Sequence, residues 1–168
     1  MTNEILSERH DDDQDGSLDY KDVRYLLVRP ETIVTFQKEV EAKIGETAVE
    51  LMFAGGLAGG MLSAARFREI SGENPADLLD FMTRMGCQIG WGKIKIIHFD
   101  PIKKRLDIEV VNSAYAEAYG PSKHGVCHFI RGVFAGVAQT IFGTPVEARE
   151  TKCRAMGDET CHFKYAVK

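Results

Sequence analysis

Apolar residues recur at helical spacing through most of the first half of the chain. Ile33, Phe36 and Val40 fall three or four positions apart, which predicts an amphipathic helix over residues 30–44. A second, longer helix is predicted over residues 46–71, where apolar and small residues dominate.

The second half combines helical and strand periodicities. A third helix is predicted from residue 75 to about 89 and a fourth over 125–142, each with one apolar face. Alternating residues predict a strand pair over 91–99 and 106–111, irregular structure over 112–124, and a terminal hairpin over 145–167. Because strands cluster and do not alternate singly with helices, the predicted class is α+β, with an antiparallel sheet packed against a layer of about four helices.

The amino-terminal part follows a different pattern. Residues 23–28 are rich in β-branched and aromatic side chains and predict a strand. The polar, acidic residues before them predict a mobile arm over residues 1–18, and residues 19–168 are expected to form a single domain.

Composition narrows the function classes. The net charge is −4 and Lys and Arg are scattered, so neither a nucleic-acid interface nor an anionic membrane surface is expected as a partner. The most apolar stretch, Leu51 to Ala65, is rich in glycine and too short to span a bilayer. No signal peptide is recognisable at residues 1–4, so we expect a cytoplasmic protein with reduced thiols.

Three of the four cysteines fall in the last third of the chain. A turn at Gly157 would bring Cys153 and Cys161 together in a hairpin, and Cys127 lies in the first turn of the apolar fourth helix. With Glu150, these thiols could close a tetrahedral zinc site; the alternative is three buried, small apolar side chains. The fourth cysteine, on the apolar third helix, is expected to pack in the core.

Three motifs together resemble the 4-vinyl reductase domain family. They are Arg-Tyr-Leu-Leu-Val-Arg-Pro-Glu at 24–31, Gly-Trp-Gly at 90–92, and the cysteine motif at 150–163. The resemblance runs from about residue 19 to residue 167, and the cysteine motif is its most specific part.

The resemblance implies a ligand-binding α+β domain, usually dimeric, with a buried pocket between helices and sheet and a fold similar to trafficking-complex subunits. In the family's sensor branch, three Cys and one Glu hold zinc, and those positions fall on Cys127, Glu150, Cys153 and Cys161. The aromatic-sensing branch reads its ligand with a Trp, a His and a Tyr. Here Leu106 stands at the Trp position and no matching His or Tyr is found, so a phenol-type ligand is not expected.

Geometry sets one condition on this zinc site. In a regular strand, Glu150 and Cys153 would point to opposite faces, so a bulge or a strand end must lie between them. Without one, His162, His128 or a water molecule becomes the expected fourth ligand. The turn at Gly157 is expected to supply N–H donors to the sulfurs.

An acidic segment at residues 11–22 has the spacing of an EF-hand loop, with Asp11, Asp13, Asp15 and Asp22 as candidate calcium ligands. The residues that follow predict a strand, so the second helix of an EF-hand is missing. A solvated acidic arm is the alternative.

Aromatic residues and glycines indicate where a ligand would lie. Trp91, Tyr115, Phe129 and Phe134 are candidate pocket residues, although such aromatics also serve as ordinary core. The glycines at 55, 56, 59 and 60 predict either close helix packing or room for a ligand.

No nucleophile–histidine pair and no dinucleotide fingerprint is recognisable, so no catalytic residue is predicted. The expected function is a zinc-containing domain that binds or senses a small apolar molecule, as a homodimer, and passes any signal through a separate signalling or enzyme chain. The alternatives are a vinyl-reductase-type component of tetrapyrrole or cofactor chemistry and an assembly scaffold subunit.

Overall fold

Six helices and two antiparallel sheets make up residues 3–72 and 74–167, which the computed structural model of the chain describes. This architecture confirms the predicted α+β class. Four long helices carry most of the helical content, as the periodicity predicts. They are α2 (Pro30–Ile44), α3 (Thr47–Ser71), α4 (Pro75–Gln88) and α6 (His128–Phe142).

Local signals in the sequence set the ends of these helices. Pro30 and Pro75 occupy the first turns of α2 and α4, where a missing N–H costs nothing. The side chain of Asn74 accepts a hydrogen bond from the N–H of Ala76 and so caps α4. Gly45, with φ +62°, ends α2 in a conformation that other residues rarely adopt.

The larger sheet has the strand order β4-β5-β7-β6. Its central strands bury alternate residues completely, for example Leu106 and Ile108 on one strand and Phe163 on the other. The fully buried Ile130 and Val137 of α6 belong to the same core. The four strands are β4 (Lys93–Asp100), β5 (Arg105–Val111), β6 (Glu147–Lys152) and β7 (Cys161–Ala166).

The amino-terminal residues differ from the predicted mobile arm. They form α1 (Glu4–Glu8) and a small sheet of β1 (His10–Asp12), β2 (Ser17–Tyr20) and β3 (Val23–Arg24); residues 1 and 2 lie outside the described part. Contacts with distant residues explain this order. The side-chain amide of Asn3 donates to the carbonyl of Gln88 at 2.9 Å, and Tyr20 is buried.

Two further elements differ from the prediction. The strand predicted over residues 23–28 ends at Arg24, and residues 25–29 run irregularly to the start of α2. A six-residue helix, α5 (Ala114–Tyr119), lies where irregular structure was predicted, capped by the side chain of Ser113. Such a short helix is below the length at which helical periodicity is recognisable.

Glycines on facing surfaces bring α3 and α6 into close contact. A Cβ atom on Gly56 would collide with the carbonyl oxygen of Phe129, and one on Gly136 would collide with that of Leu57. Gly60 and Gly132 lie at the same interface. Close helix packing, one of the two roles predicted for the glycines of α3, is therefore confirmed for part of the set.

The helix α3 is longer than the apolar stretch recognised in the sequence. By length and composition alone, the 24 residues Thr47–Ile70 could cross a membrane, whereas the 15-residue apolar stretch within them is too short to do so. The same length and apolarity also suit a helix that packs along α6 through glycines.

Candidate metal centre and adjoining cavity

Four predicted ligands converge at one end of the larger sheet. The ligand atoms of Cys127, Glu150, Cys153 and Cys161 all lie within 4.8 Å of one another. The sulfur of Cys161 is 3.7 Å from that of Cys127 and 3.9 Å from that of Cys153. All three cysteines are free thiols with no exposed surface. The structure therefore brings together the whole set that the sequence singled out.

Different elements supply the three thiols. Cys127 is the residue immediately before α6, Cys153 follows the end of β6, and Cys161 opens β7. The backbone N–H of Arg154 donates to the sulfur of Cys161 at 3.4 Å, and the hydroxyl of Ser113 lies 3.5 Å from the sulfur of Cys127. The turn at Gly157 does not point its N–H at a sulfur, since that group donates to the carbonyl of Arg154.

A β-bulge satisfies the geometric condition on Glu150. Glu150 pairs with Phe163 and Lys152 pairs with His162, so β6 advances two residues where β7 advances one. Residues 148 and 150 are partly buried, 151 and 152 are both exposed, and 153 is buried. The predicted bulge is thus confirmed, and it turns the Glu150 carboxylate to the side of the sheet that Cys153 occupies.

A glycine creates the space for this carboxylate. A Cβ atom on Gly125 would lie 2.7 Å from the carboxyl carbon of Glu150, closer than real Cβ contacts allow. One carboxylate oxygen accepts a hydrogen bond from the N–H of Cys127 at 3.1 Å. The other oxygen, Oε1, is buried and has no partner among the described residues. An unpaired buried carboxylate oxygen is a position that a cation would fill.

The electrostatics of the cluster are unfavourable without a cation. Burial, reinforced by the neighbouring Cys153, raises the pKa of Glu150 to about 9. Contacts with the sulfurs of Cys153 and Cys161 raise the pKa of Cys127, whereas the contact with Cys127 lowers that of Cys161. Four acidic groups in one buried site compete for protons, and a bound dication would favour their deprotonated forms.

The donor set fits zinc. Thiolates favour soft or borderline ions, and a tetrahedral zinc ion with bonds of about 2.3 Å to sulfur spaces its sulfur ligands about 3.8 Å apart. The two short sulfur–sulfur distances, 3.7 and 3.9 Å, match that spacing. Four protein ligands leave no open position for a reacting water molecule, as in structural zinc sites.

The alternative ligands lie outside the cluster. His162 contacts the Thr151 hydroxyl through Nδ1 at 3.2 Å. Burial lowers the pKa of His128 to about 4, and neither of its ring nitrogens has a hydrogen-bond partner in the described chain. Cys87 lies apart, where its sulfur accepts from the N–H of Ile94 at 3.1 Å, and it packs against the core as predicted.

A large apolar cavity adjoins the centre. Its volume is about 910 Å³, and its walls come from the amino-terminal segments, α3, α4, α5 and α6. All four predicted pocket residues line it, although the structure does not test whether they bind a ligand. They are Trp91, Tyr115, Phe129 and Phe134. Gly59 of α3 also lines it, so this glycine leaves room next to the cavity.

Three of these aromatic rings contact one another. The ring of Tyr115 stacks on that of Phe129 with centroids 6.0 Å apart, and Trp91 meets both rings edge-on. The backbone of Trp91 is fixed at both ends, because its N–H donates to Gly86 and its carbonyl accepts from Ala114. This end of the cavity is therefore an ordered aromatic wall.

The candidate calcium ligands are dispersed in the structure. Asp11 lies on β1 and pairs with Arg9, whereas Asp22 pairs with Arg66 of α3. Asp13 and Asp15 lie in the turn between β1 and β2. Among the described residues, the Cys/Glu cluster is the one group of three or more potential ligands that lies close enough to hold an ion. Calcium binding stays an untested prediction.

Sequence reasoning missed the residues that support the cluster. Gly125 leaves room for the Glu150 carboxylate and Ser113 contacts the Cys127 sulfur through its hydroxyl, and neither residue has a recognisable spacing relative to the cysteines. The sequence offered one general indication of such residues: a carboxylate beside three thiols needs space around it and a hydrogen-bond donor.

Comparison with known families agrees with the motif-based resemblance. The family model of the vinyl-4-reductase domain matches residues 106–166, the segment that contains all four cluster residues, which confirms the resemblance to the 4-vinyl reductase family. An uncharacterised protein of Methanocaldococcus jannaschii is 35% identical over 65 residues, which cover 39% of this chain and 35% of that protein. The match thus spans about a third of the length of this curated relative.

Solved structures share the fold at low sequence identity. The phenol-responsive sensory domain of the transcription activator PoxR, crystallised with phenol, superposes with a TM-score of 0.86 at 17% identity, covering 96% of this chain and 86% of that one. A trafficking protein particle complex subunit 3 from Naegleria fowleri, covalently bound to palmitic acid, gives 0.59 at 13% identity, covering 83% and 95%. A vinyl-4-reductase family protein from M. jannaschii gives 0.51 at 18% identity, covering 84% and 91%.

Proposed function

We propose that this chain, with its vinyl-4-reductase-like segment, is a sensing domain that binds a small, apolar molecule in its cavity. The observation that carries the proposal is the cavity of about 910 Å³ with its ordered aromatic wall. Binding sites for small molecules have this size and this apolar lining. The likeness to a phenol-responsive sensory domain supports a sensing role. In a pure scaffold subunit, side chains would be expected to fill this pocket. An open cavity therefore favours ligand binding over a scaffold role.

We further propose that the cluster binds one structural zinc ion. The sulfur spacing, the unpaired Glu150 oxygen and the space left by Gly125 support this assignment. Zinc would join the start of α6 to the β6–β7 hairpin, because Cys127 precedes the helix and the other ligands belong to the hairpin.

The cavity and the proposed zinc site share two short segments, which suggests how a ligand would be sensed. Cys127 is two residues from Phe129, which lines the cavity. Ser113, which contacts the sulfur of Cys127, is two residues from Tyr115 on the same wall. A ligand that contacts this wall would favour one arrangement of the segments that hold the ion.

The exposed face of α3 supports the proposed homodimer. Between Leu51 and Ala65 the helix carries no charged residue, and its outward positions hold small or aliphatic side chains. Leu51 is 56% exposed and Leu62 is 73% exposed. A second copy packed antiparallel on this face would bury no charge, and would bring the end that holds Glu50 close to the end that holds Arg66.

A cytoplasmic location and a separate signalling or enzyme chain complete the proposal. Three free buried thiols suit a reducing compartment. A separate signalling or enzyme chain is the proposed recipient of the response to ligand.

The ligand proposal is tested by native mass spectrometry of the purified protein, followed by identification of small molecules released on denaturation. We expect an apolar compound in the fraction that carries additional mass. A bound chromophore with reductant-dependent turnover would instead favour the vinyl-reductase-type alternative. A ligand-free protein that also binds no apolar probe would contradict the proposal.

The zinc proposal is tested by metal analysis of protein purified without added metal. We expect about one zinc ion per chain, and loss of that zinc together with a marked fall in melting temperature in Cys153→Ser. Cys87→Ser is the matched control, because that thiol lies outside the cluster, and it should keep its zinc. Metal-free wild-type protein with an unchanged melting temperature in Cys153→Ser would contradict the assignment.

A further inference from the structure

The hydroxyl of Tyr115 has no hydrogen-bond partner among the described residues. Tyr115 is 8% exposed and lines the cavity. The hydroxyl of Tyr165 also lacks a partner, but that atom is sealed in the core, whereas the Tyr115 hydroxyl is not among the sealed atoms. The Tyr115 hydroxyl is therefore an accessible, unpaired group on a side chain that lines the cavity.

Other tyrosine hydroxyls in this region are engaged. Tyr25, which also lines the cavity, directs its hydroxyl to the sulfur of Met85 at 3.4 Å. Tyr119, which lies outside the cavity, donates to Glu41 at 2.6 Å. A buried polar group left without a partner costs about 1–3 kcal/mol, so the free hydroxyl of Tyr115 is a group that cavity contents would satisfy.

A second unpaired donor lies beside it. The indole N–H of Trp91 makes no hydrogen bond within the described chain, and the Trp91 and Tyr115 ring centroids are 6.3 Å apart. The two rings are held by ring contacts, Trp91 edge-on to Tyr115 and Phe129, and Tyr115 stacked on Phe129. Two neighbouring side chains that carry unpaired donors thus belong to one wall of a largely apolar cavity.

We propose that this wall binds a neutral, largely apolar ligand through one acceptor oxygen, such as a ketone or ether oxygen, held by the Tyr115 hydroxyl and the Trp91 N–H. This inference rests on the proposed ligand-binding function and names the chemistry of its ligand. The proposed contacts use other positions than the ligand-binding Trp, His and Tyr of the family's aromatic-sensing branch. At the position of that Trp this chain has Leu106.

The composition of the aromatic wall explains why the ligand is neutral. The arginines that line the cavity, Arg9, Arg24 and Arg29, are exposed residues of the amino-terminal segments. The wall of Trp91, Tyr115 and Phe129 itself supplies no counter-charge for a carboxylate. A buried anion without a counter-charge is strongly disfavoured, so an acid would bind less well than its neutral analogue.

The direction of the hydrogen bond follows from the state of the phenol. Burial raises the pKa of Tyr115 to about 12, so its hydroxyl keeps its proton at neutral pH and can donate. The indole N–H can only donate. The wall therefore selects an acceptor on the ligand.

The test compares trans-decalin with trans-2-decalone, which share a carbon skeleton and differ in one carbonyl oxygen. Affinities are measured by calorimetry on the full chain, and the fluorescence of Trp91, the sole tryptophan, reports whether each probe reaches the wall. In Tyr115→Phe we expect the affinity for decalone to fall about threefold to tenfold, the range of one hydrogen bond, and that for decalin to change less than twofold. Tyr119→Phe is the control and should alter neither affinity.

The outcomes separate the two levels of the proposal. Equal effects of Tyr115→Phe on both probes, or none on either, would overturn the anchoring role while leaving the cavity as a binding site. Failure of the wild-type chain to bind either probe would overturn the ligand-binding function, and the anchor with it. Selective loss of decalone affinity in Tyr115→Phe alone supports both.

Discussion

Among single side chains, Glu150 shows how far sequence reasoning reaches. The spacing of Glu150 and Cys153 predicts both ligands and, because strand side chains alternate, a bulge between them. The structure has that bulge. The position of the carboxylate depends on the space left by Gly125, a residue from another segment of the chain. No local sequence pattern could reveal that contact.

Proton release on metal binding should report the state of Glu150. With a pKa raised to about 9 by burial, the metal-free carboxyl is protonated at pH 7 and must lose its proton to bind zinc. We expect Glu150→Gln to release about one proton fewer than the wild type when zinc is added at pH 7. Calorimetric titration in buffers of different ionisation enthalpy measures this number, and equal release by both proteins would contradict the assignment.

Gly125 should matter for the ion although it is not a ligand. An added methyl group would displace the Glu150 carboxylate, so we expect Gly125→Ala to weaken zinc binding about 10-fold to 100-fold, as loss of a supporting contact does. Competition with a chelator measures the affinity. Gly55→Ala, where a Cβ would meet nothing within 4 Å, is the control and should bind zinc normally.

For the helices and strands, periodicity was sufficient wherever an element was long. The apolar spacing and the prolines locate α2, α3 and α4, and alternation locates β4 and β5. Prediction failed for short elements held by distant contacts. The strands of the small amino-terminal sheet and the helix α5 have two to six residues each, and tertiary contacts determine their structure.

The interface between α3 and α6 gives a prediction for neighbouring glycines. Gly60→Ala would push a methyl group against the backbone of Val133, so we expect the free energy of unfolding to fall by about 1–3 kcal/mol. Gly55 is exposed on the same helix in the single chain, so Gly55→Ala should raise that free energy by about 0.5–1 kcal/mol where the protein is monomeric. Urea denaturation at matched protein concentration measures both; effects of the same sign would contradict the packing described.

For the assembled protein, the exposed face of α3 predicts the effect of one added charge. In the proposed homodimer, Ala58 lies at the middle of the uncharged face, and Ala58→Arg would bury a cation at the contact. We expect a dimeric wild type and a monomeric variant in analytical ultracentrifugation, with zinc content unchanged. Glu39→Arg, on the exposed side of α2, is the control for charge. A wild type that sediments as a monomer would contradict the dimer.

The centre and the cavity draw on different parts of the chain. All four cluster residues lie inside the segment 106–166 that the vinyl-4-reductase family model matches, whereas most of the cavity wall comes from residues 5–91, outside that segment. A protein that matches this chain only over that segment is matched at the cluster but not over most of the cavity wall. Ligand identity is therefore not transferable from such a match. Exchanging residues 5–91 with the corresponding part of another such protein should change the ligand preference, whereas the contact proposed for Tyr115 should stay, because that residue lies inside the segment.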